Sequence, residues 1–180
     1  MRTFSRGSPE KQLSAGLSLQ AAAICYRVRK SAIEFLLVKT SSGKWTFPKG
    51  RIEPALTASE SASREAWEEA GARGKIEHEH FAVYLDTKRT LGHSSSTREI
   101  MIAAFLFEVH SHVEPEELHR YPTWFAPEDA IKKLQESRAT RYALQISSVV
   151  NAAIERLSHK KLLRLPAQVS TGRARLMPLR

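Results

Sequence analysis

A chain of 180 residues suits one domain with a sizeable core and short tails. Its 42% hydrophobic and 26% charged content is ordinary for a soluble globular protein, and no apolar run approaches the ~20 residues that span a bilayer. The formal net charge of +9 favours polyanionic partners, phosphorylated small molecules or nucleic acid, although much of the charge sits at the two ends.

Met1 to Gly16 is polar and mixed, with Gly7, Pro9 and Gly16, and reads as irregular. It has no early apolar stretch, so no signal peptide is expected and the expected location is cytoplasmic. Gln20 to Arg27 and Ile33 to Thr40 are β-rich, and the Arg29-Lys30-Ser31 turn between them predicts a hairpin. The single cysteine, Cys25, lies in an apolar run and reads as a small buried hydrophobe. Ser41-Ser42-Gly43 is a second turn, leading into a short strand at Trp45-Thr46-Phe47. Pro48-Lys49-Gly50 and then Glu53-Pro54 predict a loop.

A helix follows. Thr57 with Glu60 three residues later reads as a capping box. Ala58, Ala62, Ala66 and Ala70 make a small-residue stripe that can pack closely on a sheet, and Gly71 is placed to end the helix in the left-handed region. On such a helix Glu65, Glu68 and Glu69 share one face within about one turn. Carboxylates that close repel one another, and a divalent cation with hard oxygen ligands is the natural counter-charge.

Beyond Gly71, Phe81 to Leu85 reads as a strand and Thr90 to Thr97 as a polar loop containing His93, taken as a plain loop residue. His78 and His80 are spaced to share one side of a strand. Glu99 to Val109 is nearly continuous in apolar residues and so reads as a central strand, and Thr123-Trp124-Phe125 as a short one. Pro127-Glu128-Asp129 opens a helix to about Gln135. A second helix spans roughly Arg141 to His159, with Tyr142, Ile146, Val149, Val150, Ala153, Ile154 and Leu157 on its core stripe. Lys160 to Arg180 is a basic tail or docking arm. The expected organisation is an irregular segment at 1–17, a domain at 18–159 and the tail at 160–180. This order of elements predicts an α/β/α sandwich.

Gly50, Arg64-Glu65, Glu68-Glu69 and Gly71 resemble the Nudix box. Its pattern runs Gly, five residues, Glu, seven residues, Arg-Glu, an apolar residue, any residue, Glu-Glu, any residue, Gly. Ala66 fills the apolar place, and Trp45, Phe47 and Pro48 fit the lead-in. One position departs: the first Glu of the pattern falls on Leu56. In the family that Glu supports the site, so its loss bears on rate more than on metal binding. Glu53 and Glu60 are the nearby carboxylates that could replace it.

The resemblance implies a Nudix-type α/β/α sandwich with a mixed central sheet over about Gln20 to Leu157. It implies Mg²⁺ or Mn²⁺ held by Glu65 and Glu69 with backbone ligands near Gly50, Glu68 as general base, and Arg64 holding the carboxylates in place. Related enzymes move the base to a loop, where Glu116 or Glu117 could serve. Ala21-Ala22, Glu53-Pro54, Glu68 to Gly71, Arg120, and Trp124-Phe125 before Glu128 to Lys132 are similar to diphosphoinositol polyphosphate phosphohydrolases. Pro48-Lys49-Gly50 is a form common in diadenosine polyphosphate hydrolases, and Ser18 and Gln20 stand where the first group carries basic residues. Lys39, Lys49, Arg51, Lys88, Arg89 and Arg120 are the candidates for holding substrate phosphates. The expectation is therefore a metal-dependent pyrophosphohydrolase acting on a phosphorylated small molecule. The alternative, motivated by Leu56, is a silent phospho-ligand-binding module. Nucleic acid is disfavoured by the lack of a patterned aromatic and basic platform, no membrane partner is expected, and nothing in the sequence sets the oligomeric state.

Overall fold

The computed structural model describes residues 18–89 and 97–164. Of the loop expected at Thr90 to Thr97, residues 90–96 with His93 lie outside the described residues, as do the first seventeen residues and those beyond Arg164, whereas Thr97 opens a strand.

Two long strands form the middle. β1 (Ser18–Arg29) and β7 (Thr97–His112) run parallel, with Ser18 opposite Ile100 and Tyr26 opposite Glu108. Both are nearly continuous in apolar residues because both of their faces are covered. Alternation along β1 splits the core in two. Ala22, Ile24 and Tyr26 join a cluster with Ile146, Val149, Val150 and Ala153 of α3 (Thr140–Arg164) and with Ala130 and Leu134 of α2 (Pro127–Gln135). Ala21, Ala23 and Cys25 face the other way and meet Ala62, Ala66 and Ala70 of α1 (Ala58–Ala70). The alanines on both sides of that contact let α1 sit close on the sheet. Burial pushes the Cys25 thiol far above its usual range, which keeps it an inert core residue.

β2 (Ala32–Lys39) pairs with β1 as the predicted hairpin, and β3 (Trp45–Thr46) and β8 (Thr123–Phe125) pair with β2. β5 (Ala72–Ile76) and β6 (Ala82–Arg89) pair with β7. With β1 and β7 parallel and the other pairs antiparallel, the sheet is mixed and lies between α1 on one face and α2 and α3 on the other. The sandwich is as expected.

Several local expectations are corrected. Lys49–Arg51 is a short strand, β4, not loop: Gly50 pairs with Ala21, and Lys49 with Ala22. β5 was not foreseen, because its sequence ARGKI is mostly polar and exposed, as an edge strand tolerates. His78 and His80 lie in the connection between β5 and β6, both exposed, and not on a strand. α3 continues to Arg164, past the expected boundary at His159. A 3₁₀ turn at Leu118–Arg120 was also unforeseen.

The ends of α1 follow the sequence signals. The Thr57 side chain accepts from the Glu60 amide at 3.2 Å, and Glu60 Oε2 accepts from the Thr57 amide at 2.8 Å. Gly71 sits at φ +61°, and a Cβ there would lie 2.0 Å from the Val113 carbonyl oxygen. The same carbonyl-side contact is reciprocated by the Val113 amide, which donates to Gly71 O at 3.0 Å. This close approach draws the segment after β7 against the end of α1.

Candidate active site

The acidic face of α1 meets β4 on one side and the segment after β7 on the other. Glu69 is the most enclosed of its carboxylates, 3% exposed. Its Oε2 accepts from the Lys49 amide at 3.1 Å, and its Oε1 lies 2.5 Å from Arg120 Nη2. Glu65, one turn earlier, fills the space a side chain at Gly50 would need: a Cβ there would lie 1.6 Å from Glu65 Oε1. Glu68 accepts from Arg64 Nε at 2.6 Å, and Arg64 Nη1 reaches Glu53 Oε2 at 2.8 Å. Glu117 completes the group. Its amide donates to Glu68 O at 3.0 Å, and its carboxylate takes Arg120 Nε at 2.5 Å.

This crowding perturbs the carboxyls. Burial pushes Glu69 up to about 7, against the pull of Arg120 and Lys49 and with the help of Glu65. Burial also raises Glu65, and the charges of Glu68 and Glu117 add to it. Lys49 is lowered by burial, with Glu69 and Asp86 opposing.

Among the described residues, no group of three or more His, Cys, Asp or Glu side chains is already gathered to hold a metal ion. Two contacts account for this: Arg120 occupies the free oxygen of Glu69, and Arg64 draws Glu68 toward Glu53. The donor chemistry nevertheless fits a hard divalent cation, since Glu65 and Glu69 offer carboxylate oxygens from successive turns. Gly50 leaves the room that such a site requires.

The predicted phosphate-binding residues separate into two groups. Arg120 is inside the carboxylate cluster. Lys39 is at its rim, where its carbonyl accepts from Arg120 Nη1 at 3.4 Å and its ammonium lies 5.0 Å from the Trp45 ring and 5.7 Å from the Tyr121 ring. Lys49 contributes its amide to Glu69. Its side chain shares the face of Ala22, toward α2 and α3. Arg51 and Lys88 are exposed, on β4 and β6, and the structure does not bring them into the cluster. Arg89 ends β6, and its side chain is outside the described part. Of the two stand-ins for the Leu56 position, Glu53 reaches Arg64 whereas Glu60 is spent on the helix cap. Glu116, the other loop candidate for a base, accepts from Trp67 Nε1 at 2.9 Å.

Sequence reasoning missed a second network behind the site. Asp86 is buried on β6. It accepts from Lys44 Nζ at 3.1 Å, from the Thr87 amide at 2.8 Å and from Arg138 Nη2 at 3.0 Å. Arg138 also donates to Trp45 O at 2.9 Å and to Leu134 O at the end of α2. The lead-in to β4 is thus tied to β6 and α2. The available signal was Asp86 itself, a carboxylate in register with the core-facing Tyr84 two residues before it.

The NUDIX domain family matches residues 18–145, which include the whole of this cluster. The chain belongs to the Nudix family. It is 31% identical over 122 residues to diphosphoinositol polyphosphate phosphohydrolase 2 of Rattus norvegicus, a match covering 67% of this chain and 64% of the relative. It is 33% identical over 128 residues to diphosphoinositol polyphosphate phosphohydrolase 3-alpha of Mus musculus, covering 67% of this chain and 71% of the relative. The match thus spans just under two thirds of the rat protein's length. In fold, this Nudix chain resembles a C. elegans Ap4A hydrolase in a binary complex, with a TM-score of 0.59 at 22% identity, over 79% of this chain and 99% of that chain. Nudix hydrolases generally use divalent metal ions.

The fit of Glu65 against Gly50 is directly testable. Gly50→Ala should displace the Glu65 carboxylate and lower turnover by roughly 100-fold, the usual cost of misplacing a site group by about 1 Å. β4 is only three residues long and half exposed, so the melting temperature should move little. Parallel activity assays and thermal melts check both halves, and near-wild-type turnover would show that the Glu65 seat is dispensable.

Proposed function

We propose that this Nudix protein is a metal-dependent pyrophosphohydrolase that cleaves a phosphoanhydride in a diphosphoinositol polyphosphate or a diadenosine polyphosphate. The observation that carries the reading is the enclosed Glu69 carboxylate, held between the Lys49 amide and α1, with Glu65 seated on Gly50 beside it. Glu65 and Glu69 are the ligands for Mg²⁺ or Mn²⁺. When bound, the ion neutralises phosphate charge and polarises the attacking water.

This chain's own residues do the rest. Glu68 takes the proton from the water as the new P–O bond forms and the anhydride P–O bond breaks, and the departing phosphate keeps the bonding electrons. Arg64 is a positioning residue: it bridges Glu68 and Glu53 and offsets the repulsion along α1. Lys39 and Arg120, at the cluster, hold the remaining phosphates. The substrate is a phosphorylated small molecule, handled in the cytoplasm, and membrane and nucleic acid have no part. The names of the rat and mouse relatives favour the inositol substrate. The Pro48-Lys49-Gly50 lead-in and the lack of a basic residue at Gln20 favour the dinucleotide.

A second reading rests on Leu56. Without the supporting Glu of the box, the chain would bind a phosphorylated ligand with little turnover. Incubating the full chain with both substrate classes, with Mg²⁺, with Mn²⁺ and with a chelator, separates the two. Ion-dependent release of phosphate or nucleotide is expected. Ligand-dependent thermal stabilisation with no turnover of any substrate would select the binding module, and full activity in chelator would overturn the metal mechanism.

A further inference from the structure

The carboxylates of Glu65, Glu68, Glu69 and Glu117 lie close enough around the end of α1 to act on one another's charge, and the chain supplies its own cation to two of them, Glu69 and Glu117. Arg120 Nη2 is 2.5 Å from Glu69 Oε1, and Arg120 Nε is 2.5 Å from Glu117 Oε2. The contact with Glu69 is sheltered, the Arg120 side chain being 19% exposed and that of Glu69 3%, whereas Glu117 is more open at 36%. Glu69 cannot turn away from Arg120 without giving up the Lys49 amide on its other oxygen. The backbone at Glu117 is anchored to α1, since its amide donates to Glu68 O at 3.0 Å. The third contact, from Arg120 Nη1 to Lys39 O, is long at 3.4 Å.

We propose that Arg120 is a built-in counter-cation that competes with the divalent ion for Glu69, and that it changes partner when the ion loads. The inference rests on the assignment of Glu69 as a metal ligand. A guanidinium in close contact with one carboxylate oxygen and a divalent ion on the same carboxylate repel each other, so each weakens the other's hold on Glu69. Arg120 therefore yields Glu69 on loading. Its Nε remains on Glu117, which acts as a pivot, while Nη2 becomes free and Nη1 has only the long contact with Lys39 O to give up. That planar fork matches the paired oxygens of a phosphate, which a lysine ammonium does not. Arg120 thus offsets the charge of Glu69 and Glu117 and presents a phosphate-binding fork once the metal is in place. Binding becomes ordered, with the ion before the substrate.

Mn²⁺ affinity of the full chain, read by electron paramagnetic resonance without substrate, tests the competition. Arg120→Gln should bind Mn²⁺ about tenfold tighter than wild type, having lost a charge-assisted competitor. Its KM for substrate should rise. Glu69→Gln should bind Mn²⁺ weakly. Unchanged or weaker Mn²⁺ binding by Arg120→Gln, with Glu69→Gln still impaired, would overturn the exchange and leave the metal site standing. Wild-type Mn²⁺ binding untouched by Glu69→Gln would overturn the metal assignment, and the exchange with it. A wild-type measurement covers the case in which Arg120→Gln fails to fold. The Arg120 Nη2–H resonance, on the atom that leaves Glu69, should shift as Mg²⁺ is titrated, in step with occupancy, and a resonance unmoved at saturation would overturn the proposal.

Discussion

Glu69→Gln should lower kcat about 1,000-fold while leaving the fold intact. The figure follows from the several kcal/mol of transition-state charge stabilisation that a bound ion supplies, about 4 kcal/mol here, at 1.36 kcal/mol per decade of rate. The amide keeps the size of the carboxyl and can still accept from the Lys49 amide, so packing on β4 is retained. Stability should hold or rise. Burial pushes the Glu69 carboxyl up to about 7, above the ordinary carboxylate value. The folded state therefore binds this proton more tightly than the unfolded state, and the group costs stability as pH rises from the ordinary carboxylate range through about 7. A neutral amide removes that cost, most fully above pH 7. The same sign governs metal binding: the ion must displace the proton, so apparent Mg²⁺ affinity of the wild type should climb as pH passes through about 7. Single-turnover hydrolysis and thermal melts at pH 6 and pH 8 check these outcomes. Turnover within a few-fold of wild type would remove Glu69 from the chemistry.

Arg138→Ala should cost roughly 3–5 kcal/mol of folding stability, the usual effect of removing one partner of a buried ion pair. At about 2–4 °C per kcal/mol for a chain of this size, the melting temperature should fall by roughly 10 °C. The side chains of Arg138 and Asp86 are 1% and 5% exposed, so neither charge can turn to water when the other is lost. The truncation also strips a donor from Trp45 O and Leu134 O. Asp86 gives the pH signature. Burial alone would raise its carboxyl, but Arg138, the Thr87 amide and Lys44 together hold it below the ordinary value. A depressed folded value means stability that is present above about pH 4 and is lost as pH falls through the folded value. Asp86→Asn should therefore be less stable than wild type at neutral pH and show a flatter acid limb. Urea unfolding at pH 7 and at about pH 2.5 measures this, and equal pH slopes in the two proteins would refute the assignment.

The parts of the molecule that could be read from the chain are those set within one turn or one strand. Thr57 and Glu60, the alanines at every fourth position and Gly71 fixed α1 and the side on which its acids emerge, because capping and periodicity act over three or four residues. Lys49–Arg51 shows the opposite case. Its strand character comes from pairing with Gln20 to Ala22, about 30 positions earlier, and nothing inside a three-residue segment announces it. Arg120 was legible as a basic residue near the site, but its contact with Glu69 depends on the 3₁₀ turn that folds it back on α1. Asp86, Lys44 and Arg138 come from three distant segments and share no spacing. Arg51 and Lys88 read as basic residues near the expected site, and neither charge nor nearness in sequence sets where a side chain on a strand ends up.

The parallel ladder between β1 and β7 sets the order in which the protein can be assembled. Its partners are about 80 positions apart, so a long loop must close before the ladder gains anything. Folds dominated by such distant pairings form in milliseconds to seconds, more slowly than helical ones. On a ribosome making about 5–20 residues per second, β1 waits several seconds for its partner to be synthesised. Until then the edge of β1 opposite β2, a long row of unpaired backbone groups on an apolar strand, stays open to other chains.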